Sequence, residues 1–181
     1  MQDAEFKLML YPNNINYKAN IIELEGLLSE IGLMDKEITG KKFKVGDNFL
    51  SLLTFMGCSP NIELEPQKDK PFCYIELNSS EKAQLVFGSN LKKGQCTHCK
   101  AKVSKISKEL QCLTCAKPLE LSKINWRKTA FVAQTWITIG NIYELEAIPN
   151  DALLNTLKSK TRVEWKPAYI RNTVTFTINQ N

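Results

Sequence analysis

Four of the six cysteines stand in two pairs of identical spacing: Cys96-Thr97-His98-Cys99 and, after twelve intervening residues, Cys112-Leu113-Thr114-Cys115. Two thiolates two residues apart can hold one ion from a tight turn whose backbone amides also donate to the sulfurs. Two such turns complete a tetrahedral four-sulfur shell. Zinc prefers that shell, and a mononuclear iron centre uses the same ligands as second choice. Four thiolates leave no coordination position open, so the metal is structural rather than catalytic. Three disulfides are the competing use of six cysteines. They are disfavoured because 181 residues can build a core without staples, and because the start, MQDAEFKLML, places acids at Asp3 and Glu5 where a secretory leader is basic.

The cysteine pattern resembles a zinc ribbon, over residues 92–118 alone. The resemblance implies rubredoxin-like knuckles with Cys96, Cys99, Cys112 and Cys115 as ligands. Ribbon knuckles usually carry Gly after the second cysteine, where the chain turns with positive φ; here those residues are Lys100 and Ala116. The spacer of twelve is also slightly shorter than the commonest ribbon spacing. His98, the single histidine, lies inside the first knuckle and, with four cysteines at hand, reads as an exposed side chain. The segment's main apolar side chains are Val103, Ile106, Leu110 and Leu113. Metal binding must therefore supply its folding free energy, on the order of 10 kcal/mol in small zinc peptides.

Charge is concentrated around these knuckles. Residues 91–128 hold ten basic side chains against Glu109 and Glu120, a net +8, which leaves the other 143 residues at −3 of the chain's total of +5. Such asymmetry points to an anionic partner, nucleic acid first. Lys92, Lys93, Lys100, Lys102, Lys105 and Lys108 would line a phosphate-binding surface, with Trp126, Arg127 and Lys128 adding an aromatic platform beside two cations. Lysine dominance favours backbone contact over base reading, which commonly uses bidentate arginine. Docking on an acidic protein partner is the alternative.

No catalytic constellation is legible. The one histidine sits in the knuckle, and neither a phosphate-cradling glycine loop nor a nucleophile elbow is present. Cys58 follows an expected helix C-terminus, whose negative end makes a thiol a poor nucleophile, and Cys73 reads as core. An enzyme with its pocket in the body remains the third reading, behind the two binding roles.

The residues that must position the knuckles read as an α+β body. Hydrophobic content of 43% with 24% charged residues is globular, and no apolar run approaches the roughly 20 residues of a spanning helix. These features point to a cytoplasmic protein without a membrane anchor. Strands are expected at residues 6–10, 42–45, 72–77, 85–87, 130–139, 143–147, 162–166 and 173–178. Phe131, Ala133, Ile137 and Ile139 are expected to share one face, and Gly140-Asn141 to turn a hairpin. Helices are expected from Asn20 to Ile31 with Gly32 as its C-terminal cap, from Asp47 to Gly57, and from Pro149-Asn150-Asp151 to an end at Lys158 and Lys160. The economical architecture is a mixed or antiparallel sheet covered by two or three helices. Residues 1–90 and 119–181 would form it together, with 91–118 inserted as the metal-binding module, and no internal repeat is evident.

Overall fold

The computed structural model describes residues 5–57, 62–66, 70–106 and 109–178. Cys58 and Lys108 lie outside them. One sheet of seven strands organises the chain: β1 (Phe6–Pro12), β2 (Met34–Thr39), β3 (Lys42–Val45), β5 (Tyr74–Phe87), β8 (Ala130–Gly140), β10 (Trp165–Arg171) and β11 (Val174–Thr177). Its order is β10-β1-β8-β5-β3-β2, with β11 added beside the far half of β5. Every pairing among the described residues is antiparallel, so the sheet they form is not mixed. Two small ribbons stand apart: β4 (Leu53–Phe55) with β9 (Ala147–Pro149), and β6 (Gly94–Gln95) with β7 (Lys102–Val103).

Three helices cover one face of the sheet: α1 (Ile21–Glu30), α2 (Phe49–Leu52) and α3 (Asp151–Thr161). Asn20 caps α1 by accepting from the N–H groups of Ile22 and Glu23, and its own amide donates to the Glu23 carboxylate. At the other end Gly32 takes φ +73° and donates to Ser29 O, while Leu33 donates to Leu28 O, which closes the helix in a Schellman motif. Asn150 caps α3 by accepting from Leu153 N–H. The inward residues Leu24, Leu27 and Leu28 of α1, Phe49 of α2, and Leu153 and Leu157 of α3 bury against Leu8, Leu10, Ile75, Leu77, Ile137 and Ile139 of the sheet.

The structure corrects several local expectations. The helix read from Asp47 to Gly57 is a single turn, because Leu53–Phe55 pair instead with Ala147–Pro149, distant in sequence. Met34–Thr39 is an edge strand whose mostly exposed residues left no alternating pattern to read. The two strands at 72–77 and 85–87 are parts of one strand, β5, which carries an irregularity between Ser79 and Gln84. That irregularity shifts the register against β8. Phe131 and Ala133 consequently enter a different cluster from Ile137 and Ile139. No hairpin forms at Gly140-Asn141: Asn141 donates to Phe6 O and the chain leaves the sheet for a turn at Tyr143–Glu146.

Beyond the helices the sheet curls. β10 pairs with β1, while β11, two residues later, pairs with β5. The outer edge of β10 is satisfied by the segments flanking the knuckles: Tyr169 donates to Lys128 O, Ser89 to Arg171 O, and Arg171 N–H to the Asn90 side chain. The curled part encloses Met9, Val86, Phe131, Ala133, Trp136, Ala168 and Ile170. The knuckle segment leaves the sheet at the end of β5 and returns at the start of β8, so the two longest strands hold it at both ends.

Candidate metal centre

The two cysteine pairs fold as two copies of one small hairpin. In the first, Gly94–Gln95 pair with Lys102–Val103, Cys96 N–H donates to Ala101 O, and Lys100 N–H donates to Cys96 O. In the second, Gln111 bridges Pro118, Cys112 N–H donates to Lys117 O, and Ala116 N–H donates to Cys112 O. Each of these positions recurs sixteen residues later. The signal in the sequence is the repeated Gln-Cys-x-x-Cys at Gln95 and Gln111, a short internal repeat that corrects the expectation of none. Lys100 and Ala116 occupy the positions where a positive φ is expected, and both adopt it, at 62° and 57°.

The hairpins bring Cys96, Cys99, Cys112 and Cys115 together, with all four Sγ atoms within 4.8 Å of one another. Cys96 and Cys115 sulfurs lie 4.0 Å apart, and those of Cys99 and Cys112 lie 3.7 Å apart. A tetrahedron with metal–sulfur bonds of about 2.3 Å has edges of about 3.8 Å, so the four residues fit a single thiophilic ion. Electrostatics agree with that reading. The N–H groups of Cys115 and Thr114 donate to the Cys112 sulfur and hold its thiol down at about 6. At Cys99 the Ala101 N–H pulls the same way, but desolvation and the three neighbouring thiols outweigh it and push the group up to about 11. Four sulfurs this close cannot all carry negative charge unless a cation sits among them. His98 is exposed and outside the cluster. Cys73 is buried in the main core, with its thiol pushed up to about 12 by burial.

The chain matches no protein-family model, no curated protein and no solved structure. Among the described residues, no helix is long and apolar enough to cross a membrane.

The site is fastened to the sheet rather than hung from it. Val103 and Leu119, at equivalent positions in the two hairpins, share a buried cluster with Leu85 of β5 and with Ala130 and Val132 of β8. Leu121, Ile124 and Trp126 complete that cluster. Gly94 permits the fit, since a Cβ there would lie 2.3 Å from the Ile124 side chain and 3.2 Å from the Trp126 ring. Thr97 donates to Glu120, which also pairs with Lys123, so the tip of the first knuckle is tied to the short helical turn Leu121–Lys123.

The basic residues divide by environment. Lys93, Lys100, Lys102, Lys105, Arg127 and Lys128 are exposed. Lys92 is engaged by Glu144 at 2.7 Å, which the sequence did not signal. Trp126 is not a stacking platform: it is 3% exposed and its indole N–H donates to Leu121 O.

Proposed function

We propose that the four thiolates hold zinc as a structural ion, and that the basic surface built around this centre binds nucleic acid through its phosphate backbone. Four free thiols poised for metal suit a reducing compartment such as the cytoplasm. One observation carries the reading. Two adjoining grooves flank Gly94–Gln95, and their linings contain Lys92, Lys93, Lys100, Lys102, Lys123 and Arg127 but, among the described residues, no acidic one. Lys93, Lys102 and Arg127 make no ion pair among the described residues, so their charges remain available. With Trp126 buried and lysine dominant, the expected mode is phosphate contact with little base discrimination.

The test is fluorescence anisotropy of labelled oligonucleotides against the zinc-loaded protein and its K93Q/K102Q/K105Q variant over a salt series. The variant is expected to bind all sequences more weakly, with a slope of log K against log salt shallower by roughly 2–3. An unchanged slope contradicts the assignment of these lysines.

A further inference from the structure

Trp126, Arg127, Lys128 and Thr129 form a tight turn in which Thr129 N–H donates to Trp126 O and both central residues have positive φ, 53° at Arg127 and 63° at Lys128. This is type I′ geometry, whose central positions favour Asn-Gly. The chain places two bulky cations there instead. The turn is also held rigidly. Asn125 Oδ1 accepts from Arg127 N–H, Thr129 Oγ1 donates to Trp126 O and accepts from Lys92 N–H, and Lys128 O accepts from Tyr169 N–H.

The two cations line different depressions, which share Lys123 and Asn125 in their linings. Arg127 lines both knuckle grooves, whereas Lys128 lines a separate open cleft of about 760 Å³ between the end of β1 and the segment Ser122–Lys128. That volume is within the roughly 300–1,000 Å³ of ligand sites. The cleft also contains Lys123 and Lys166 and, like the grooves, no acidic residue among those described. The Tyr11 hydroxyl and the Asn13 side chain line it without hydrogen-bond partners among the described residues.

Resting on the nucleic-acid reading above, we propose that the ligand is single-stranded. In this proposal the strand crosses the Arg127-Lys128 turn as over a saddle. Its backbone lies in the knuckle grooves on one side, and one unstacked nucleotide enters the cleft on the other. A strand following both troughs must bend sharply around one turn. Duplex DNA, with a persistence length of about 150 bp, resists such a path, whereas a single strand follows it readily. Tyr11 and Asn13 supply neutral groups for a base edge, and Lys128 and Lys166 supply charge for its phosphates.

The experiment compares zinc-loaded wild type with R127N/K128G, N13A/K166Q and the remote control K36Q/K41Q. The probes are a fluorescein-labelled 20-nucleotide single strand and the matching duplex. The turn variant has the residues the backbone prefers, so its melting temperature is expected to rise while single-strand affinity falls roughly tenfold at physiological salt and the salt slope flattens by about 1.4. A higher melting temperature excludes misfolding as the cause of the loss. The cleft variant is expected to lose single-strand affinity selectively, and the control to lose none. Tighter duplex than single-strand binding, or full affinity in R127N/K128G together with loss in K93Q/K102Q/K105Q, would overturn the saddle while leaving the nucleic-acid reading in place. Wild type that binds neither probe at low salt overturns both.

Discussion

Lys100 and Ala116 hold nearly the same left-handed backbone, φ 62° and 57°, at equivalent points of two hairpins sixteen residues apart. Each closes a knuckle by donating to the carbonyl of the cysteine four residues back. An L-residue in this conformation costs about 1–2 kcal/mol relative to its right-handed form, and Gly does not bear that cost. Part of the gain from a glycine is returned through the looser unfolded chain. Ala116→Gly is therefore expected to stabilise the metal-loaded protein by about 0.5–1 kcal/mol, seen as a rise of a few degrees in Tm. A fall in Tm would show that the Ala116 methyl makes a compensating contact.

Gly94 lies against Ile124 and Trp126 where a methyl group has no room. Gly94→Ala should cost about 1–3 kcal/mol by overpacking. The check is the urea midpoint of the zinc-loaded variant, with Trp126 fluorescence reporting the displaced ring. An unshifted midpoint would mean that the knuckles slide on the sheet without penalty.

Loss of metal should spread into the sheet but stop short of the helices. Val103 and Leu119 share their cluster with Leu85 and Val132, while the helix-facing core contains no residue of the knuckle segment. Cys112→Ser is expected to abolish amide protection at Val103 and Leu119 and to weaken it at Leu85 and Val132. Ile137 and Ile139 should remain protected. Hydrogen exchange read by mass spectrometry distinguishes this from loss confined to residues 92–118, which is what a freely hung module would show.

The Lys92–Glu144 pair ties the root of the knuckle segment to the turn after β8. The hydrogen bond from Lys92 holds the Glu144 carboxyl below its ordinary range, and Asn90 assists. Because the folded-state value is depressed, the pair's stabilisation is complete above the ordinary carboxylate range and is lost as pH falls through the depressed value. The pair is partly exposed, so Glu144→Gln should cost at most about 1 kcal/mol at pH 7. That difference should vanish once the pH is well below the carboxylate range. Urea midpoints of both proteins at several pH values test this, and a difference that persists into acid would point to packing rather than charge.

The features legible in the sequence were those set by local chemistry. Two Cys-x-x-Cys pairs place four sulfurs within 4.8 Å, and Asn20, Gly32 and Asn150 mark helix ends through bonds to residues two or three positions away. The features that stayed hidden depend on distant partners. Leu53–Phe55 became strand only because Ala147–Pro149 lie beside them. The register shift in β5 redirected Phe131 and Ala133, and nothing local at those residues announces it. Trp126 sits between cations in sequence, yet Leu121 O and the shared cluster draw it inward.

The measurement that bears most directly on the account is X-ray absorption of the protein as purified. It reads both the element and its nearest neighbours. The expected result is a zinc edge with four sulfur scatterers at about 2.3 Å and no nitrogen or oxygen in the shell. An iron edge, a mixed sulfur and nitrogen shell that brings in His98, or a protein free of metal with its thiols intact would contradict the closed four-thiolate zinc centre on which the basic surface is built.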